Sequence, residues 1–183
     1  MKSLLVSIRS KWVEKICHEI GKDENGKPIY EKRIEVRKTA PKEVPFKAYI
    51  YHTKGNGVKG DYLVPSGIQC GKVIGEFVCD KVYLIKNQGS MFSVADEEQS
   101  VTNEIARQSC LVYNDMVSYL GNKYGYGWHI SDLKIYDKPK ELSEFKIGRK
   151  GCKERDTYHC KFYCYGERPI TRPPQSWMFV KEL

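Results

Sequence analysis

The pattern of apolar and polar positions changes period several times along the chain, and each change marks an element. Residues 3–8 (Ser-Leu-Leu-Val-Ser-Ile) form a short, nearly continuous apolar run, which predicts a buried first strand. Ser10 then stands where a helix N-cap would, with Trp12, Val13, Ile16 and Ile20 at roughly helical spacing after it. The polar run Gly21 to Pro28 predicts the tip of an inserted loop. A strand returns over residues 29–37. At its end, Arg33-Ile34-Glu35-Val36-Arg37-Lys38 alternates charged with apolar residues, so Glu35 and Arg37 share one face and Ile34 and Val36 the other. Such a strand buries its apolar row and holds an acid beside a base at a rim or cleft.

The rest of the pattern is strand-rich. Prolines between Lys38 and Pro45 end regular structure, and Phe46 to His52 is a strand of aromatic and β-branched residues. Residues 54–60, with Gly55, Gly57 and Gly60, predict a mobile loop. The run from Lys72 to Val78 continues through Asp80 to Ile85 and reads as one long or bulged strand. A helical region between Glu97 and Leu120 breaks near Ser109 or Asn114, and Gly121 suits its stop. Trp128 to Ile130 and Leu133 to Tyr136 read as strand, Lys140 to Phe145 as a turn or short helix. Pro173-Pro174 precede a last strand at Trp177 to Val180. Strands outnumber helices, so the fold class is α+β with a barrel-like sheet and a few short helices.

Composition narrows the partners. The chain has 183 residues, enough for a single domain with its own core, and carries a net charge of +8. That charge favours polyanions, because phosphate contacts dominate nucleic-acid affinity. No stretch approaches the ~20 apolar residues of a membrane span, and the opening segment reads as a strand rather than a signal peptide. Seven scattered cysteines argue against a disulfide framework and for a reducing, cytoplasmic setting. Cys17, Cys70, Cys79 and Cys110 lie in apolar contexts and read as packing residues. The segment at about 146–172 is different: eight basic residues face three acidic ones, forming a basic, Cys-containing C-terminal insert. Within it the Cys160-x-x-x-Cys164 gap falls in zinc-ligand spacing, with Cys152 as a third ligand and His159 as a weak fourth. A structural zinc is the cofactor to expect there, against the alternative of free cysteines in a basic loop.

Several phrases occur in a meaningful order: Ser7-Ile8 with Lys11-Trp12, then Glu35-Val36-Arg37-Lys38, Tyr49-Ile50-Tyr51, and Gly71-Lys72-Val73-Ile74-Gly75-Glu76-Phe77. In this order they resemble the kernel of the ASCH domain, a relative of the PUA fold associated with RNA and modified nucleosides. The phrases His129 to Pro139 and Arg172 to Trp177 are similar to those of a phage- and prophage-associated branch. The resemblance implies a PUA-like β-barrel. Two departures stand out: Ser10 replaces a proline usual before Lys11, and residues 22–30 form an insertion.

Three function classes follow. As a binding module, the chain would take RNA or a modified nucleobase in a cleft lined by Lys11, Trp12, Glu35, Arg37, Lys38, Tyr51 and Glu76. Lys72, Trp128 and His129 would add a cation, a stacking face and a polar contact. As an enzyme, the resemblance implies an amidohydrolase acting on a modified cytidine. Its lysine would be Lys32 and its distant glutamate Glu76, while its threonine position is Glu35 here. A carboxylate does not replace that hydroxyl at neutral pH without a large pKa shift, and Thr39 lies beyond the strand. RNA cleavage would instead need pairs such as Glu35 with Arg37 or Lys38, or His129 with Lys134. As a phage interaction protein, the chain would occupy a host factor.

Overall fold

The computed structural model describes residues 1–54, 70–88, 92–148 and 167–181. Two sheets organise them. The first has five strands in the order β10-β6-β5-β1-β13, with β1 at Lys2–Ile8, β5 at Phe46–His52, β6 at Val73–Cys79, β10 at Ser131–Lys140 and β13 at Trp177–Val180. The second has four in the order β4-β9-β7-β8, namely Ile34–Arg37, Gly125–His129, Val82–Asn87 and Phe92–Val94. Among the described residues only β1 and β5 run parallel, so the chain between them must cross over, and helix α1 (Ser10–Cys17) with strand β4 lies on that crossover. Hairpin β2–β3 (Glu19–Lys22 and Pro28–Tyr30) occupies the inserted segment. Strands β11 (Lys146–Gly148) and β12 (Glu167–Pro169) make a small further pair.

The layers follow from alternation. Leu4, Val6 and Ile8 of β1 face an inner core with Val13 and Ile16 of α1, Phe46, Ala48 and Ile50 of β5, and Trp128 of β9. Leu5 points the other way, to an outer cluster with Tyr49, Tyr51, Phe145 and Val180. The four-stranded sheet turns Ile34, Val36 and Ile85 toward α2 (Gln99–Ser109) and α3 (Tyr113–Leu120), which contribute Ile105, Met116 and Leu120. The central strands of each sheet are thereby covered on both faces. The fold is α+β and dominated by strands. Among the described residues no ladder joins the two sheets into a closed barrel.

Several expectations need correction. The run 72–85 is two strands, because the exposed pair Asp80-Lys81 lets the chain change sheets between β6 and β7. A bulge in β6 lets Val73 face the outer cluster and Ile74 the inner core, while at Gly75 a Cβ would come within 2.4 Å of the Lys134 carbonyl. Residues 29–37 are also two strands, interrupted at Glu31-Lys32-Arg33. Ser10 is the first residue of α1 rather than its cap, and its hydroxyl lies 2.9 Å from His52 Nε2. Ile20 is 52% exposed, since α1 ends at Cys17 and Ile20 belongs to β2. The helix break falls at Cys110, which adopts a left-handed conformation (φ 56°). The predicted loop at 54–60 lies outside the described residues except for Lys54.

Candidate functional site

Lys32, Glu35 and Arg37 come together, and they do so in the interior. The backbone around Lys32 is tied on two sides: its N–H donates to the Lys15 carbonyl of α1, and the Arg33 N–H donates to the Gln108 carbonyl of α2. These bonds aim the Lys32 side chain inward, where its exposure is 1%. Its ammonium donates to the Ser109 carbonyl at 2.6 Å, at the C-terminal end of α2 where carbonyls lack helical partners. It also lies 3.5 Å from Glu35 Oε2 and 4.9 Å from the centre of the Trp12 ring. Burial holds its pKa below the ordinary lysine value, opposed by the charge of Glu35.

The alternation of β4 supplies the other two groups. Ile34 and Val36 enter the core under α2 and α3, so Glu35 and Arg37 face the inner side, 5% and 7% exposed. Their guanidinium-to-carboxylate distance is 2.9 Å, and Arg37 also donates to the Ser7 carbonyl of β1 at 2.7 Å. The acid–base pair is therefore buried rather than at a rim. Among the described residues, Glu35 Oε2 has no hydrogen bond and Arg37 Nε has none either. Trp128 stands opposite Glu35 across the β4–β9 ladder, and its buried indole N–H is likewise unbonded. Two buried donors thus lack a partner here, and Glu35 Oε2 has only the 3.5 Å ion pair with Lys32, an arrangement that costs stability unless something else meets it.

The residues that flank this cluster in sequence are basic and aromatic. Arg9, Lys11 and Lys38 are exposed, and Trp12 is half-buried. Helix α3 contacts both lysines: Asp115 approaches Lys11 at 3.7 Å, and Lys38 lies over the Tyr119 ring at 5.1 Å. Asp115 and Tyr119 are four residues apart and so share one face of α3.

The remaining residues predicted for the cleft are elsewhere. Glu76 lies on the outer side of the five-stranded sheet, opposite Tyr49 in the ladder. There it accepts a 2.5 Å bond from the Tyr136 hydroxyl and faces Lys47 at 3.7 Å. Burial, then the bond to Glu76, pushes the Tyr136 pKa up. Glu76 alternates with the inward-facing Phe77 and Cys79, so the regular register with β5 puts it on the outer side, which the strand's own sequence does not disclose. Tyr51 is also in the outer cluster, buried against Leu5 and Val73. Lys72 pairs with Glu141 at 2.6 Å. His129 alternates with Trp128 and points away from Glu35, pairing with Asp80 at 2.6 Å. Asp80 is held below the usual carboxylate range, because the hydrogen bond and charge of His129 outweigh the upward push of burial. Ser7, Ser109 and Tyr119 were missed as contributors; only the topology brings a strand end, a helix end and a second helix to this place. Cys152, Cys160, Cys164 and His159 lie outside the described residues. Among those described, no group of three His, Cys, Asp or Glu side chains could hold a metal, and no helix is long and apolar enough to cross a membrane.

Comparison with solved structures places this geometry in a known frame. The ASCH protein from Zymomonas mobilis superposes with a TM-score of 0.54 at 14% identity, over 99% of this chain and 89% of that one. A tyrosine-to-phenylalanine variant of the same protein gives 0.53 at 13% identity, covering 100% and 92%. A serine-to-alanine variant gives 0.53 at 13%, covering 99% and 89%. The chain has the fold of an ASCH protein. No protein-family model and no curated protein matches the sequence. On this ASCH fold, the phrase Lys32-x-x-Glu35-x-Arg37 forms the buried cluster, while the Gly71 to Phe77 phrase supplies strand β6 of the other sheet.

Proposed function

We propose that this chain is an RNA-binding member of the ASCH family that takes an unstacked base against Trp12 and the Lys32–Glu35–Arg37 cluster. The observation that carries the reading is the pair of unbonded buried atoms, Glu35 Oε2 and Arg37 Nε. An acceptor beside a donor complements the edge of a nucleobase, which presents donors and acceptors side by side. The half-buried Trp12 carries Lys11 at 4.6 Å and Lys32 at 4.9 Å from its ring centre, so a base stacking there, worth roughly 1–3 kcal/mol, would take the place of the exposed Lys11. Around it the exposed Arg9, Lys11 and Lys38 suit the phosphates on either side. With Lys32 protonated the three buried groups carry a net charge of +1, which a nearby phosphate would favour.

The test is retention of a labelled single-stranded RNA pool at two salt concentrations, read at the same time for cleavage. Salt-sensitive retention is expected, with Trp12→Ala weakening it and Lys11→Ala and Lys38→Ala each reducing the salt slope by about one. Absence of retention at low salt, or slopes unmoved by both lysine variants, would remove RNA from the cleft.

A hydrolase is the second reading, and one observation favours it. Lys32 is buried beside a carboxylate with its pKa lowered, the condition in which an amine serves as nucleophile or base. Glu76 takes no part in this version, being bonded on the other side of the sheet. Turnover of RNA or of an acylated nucleoside that disappears in Lys32→Met, with retention preserved, would make the protein an enzyme.

A further inference from the structure

We infer that edge strand β13 carries a stacking surface for nucleotides flanking the base held in the cleft, so that the ligand is a single-stranded RNA segment rather than a free nucleoside. This rests on the RNA-binding reading above and names the form of ligand it takes.

The alternation of β13 splits its side chains. Met178 and Val180 pack into the outer cluster, which leaves Trp177 and Phe179 on the side of the inner core. Phe179 is 49% exposed, a large ring standing at the sheet edge. It meets Trp177 edge to face at 5.4 Å, and Trp177 meets the buried Trp128 at 5.9 Å. The line of rings therefore runs from the residue opposite Glu35 to the surface. Phe179 stands nearly perpendicular to Trp177 at 85°, so the exposed Phe179 ring is the platform and Trp177 buttresses it from below.

Hydrogen bonds link this surface to the buried cluster. The Trp177 indole donates to Thr39 Oγ1 at 3.0 Å, one residue after the exposed Lys38. Ser7, whose carbonyl accepts from Arg37, also donates its N–H to the Ser176 carbonyl and its hydroxyl to Pro174. One residue thus links the buried guanidinium to the start of β13. Charge points the same way: Lys2, beside the Phe179 ring, and Lys38, next to Thr39, are both exposed. Lys2 pairs with Glu43 at 2.5 Å and lies 5.9 Å from the Phe179 ring centre. Exposed rings with cations beside them are the chemistry of single-strand binding. Protein interfaces instead are depleted in lysine, and lysines on an edge strand discourage pairing with a second copy.

The experiment measures fluorescence anisotropy of a labelled single-stranded RNA of about 12 nucleotides, beside calorimetric binding of a mixture of nucleoside monophosphates. Phe179→Ala is expected to weaken the RNA roughly 5- to 150-fold while leaving the monophosphates unchanged, and Phe179→Tyr to restore most of the loss. Equal affinity of Phe179→Ala and wild type for the RNA overturns the inference and leaves the cleft reading standing. No binding of the RNA by wild type overturns both. Sedimentation provides a further arm: a wild-type dimer that Phe179→Ala dissociates, with RNA affinity unmoved, makes this face a contact between copies and overturns the inference.

Discussion

Glu35 and Glu76 are both strand glutamates paired with cations, yet they sit in opposite conditions. Glu76 is half-buried and its needs are met locally, by the Tyr136 hydroxyl and by Lys47. Glu35 is buried between two cations, Lys32 and Arg37, and still keeps an oxygen without a hydrogen bond. The first arrangement is self-contained and solvated at its edge. The second is incomplete, and its incompleteness is what a ligand would relieve. Buried ion groups are weak sources of stability, because desolvation offsets the attraction. Their retention in an interior is more readily understood through recognition than through folding, since apolar residues of similar volume would serve folding as well.

The contrast can be broken most directly by removing each carboxylate. Glu35→Ala strands two buried cations and is expected to cost about 3–5 kcal/mol of stability in denaturant unfolding. Glu76→Gln keeps an acceptor for Tyr136 at a partly solvated site and is expected to cost about 1 kcal/mol. Equal costs would show that the two sites differ less than their burial implies.

Lys32 sharpens the comparison through pH. Its folded pKa lies below the ordinary lysine value, so between the two the unfolded chain binds more protons and stability rises with pH. The penalty of the buried charge is fully present below the folded pKa and disappears as pH rises through that window. Wild type should therefore gain stability relative to Lys32→Met on the alkaline side, read from parallel melts. A difference independent of alkaline pH would mean that Lys32 does not change protonation there.

The smallest effect belongs to a third carboxylate, on the surface. Glu104 of α2 is held down to about 2 by the hydrogen bonds of Arg107 and Gln108. Its contribution is present above the ordinary value of 4.5 and is lost as pH falls through about 2. Solvent screening makes that contribution slight. Glu104→Gln should flatten the acid limb of the stability profile only marginally, and a large change there would point to a role beyond the helix surface.

Much of the fold was legible in the chain itself. Strands β1, β5 and β13 fall where their apolar runs predict; β1 and β5 are covered on two faces, so their apolar density declares them, and the short β13 is set off by the prolines before it. The division of the 97–120 region into two helices was also readable, although Cys110 turns the corner in a left-handed conformation that favours glycine. Within the candidate site, the alternation of β4 was enough to put Glu35 and Arg37 on one face. The depth of that face was not readable, since a charged alternating strand looks the same at a rim as in an interior.

What the sequence determined alone was local: periodicity, the pairing of Glu35 with Arg37, the basic charge and the ordered phrases that resemble ASCH proteins. The tertiary structure decided everything that depends on distant elements meeting. It brought the end of α2 to Lys32 and the end of β1 to Arg37, and the pairing of β6 with β5 put Glu76 opposite Tyr49 on the outer side of its sheet. A strand period is a property of neighbours in the chain, whereas burial and charge balance belong to neighbours in space.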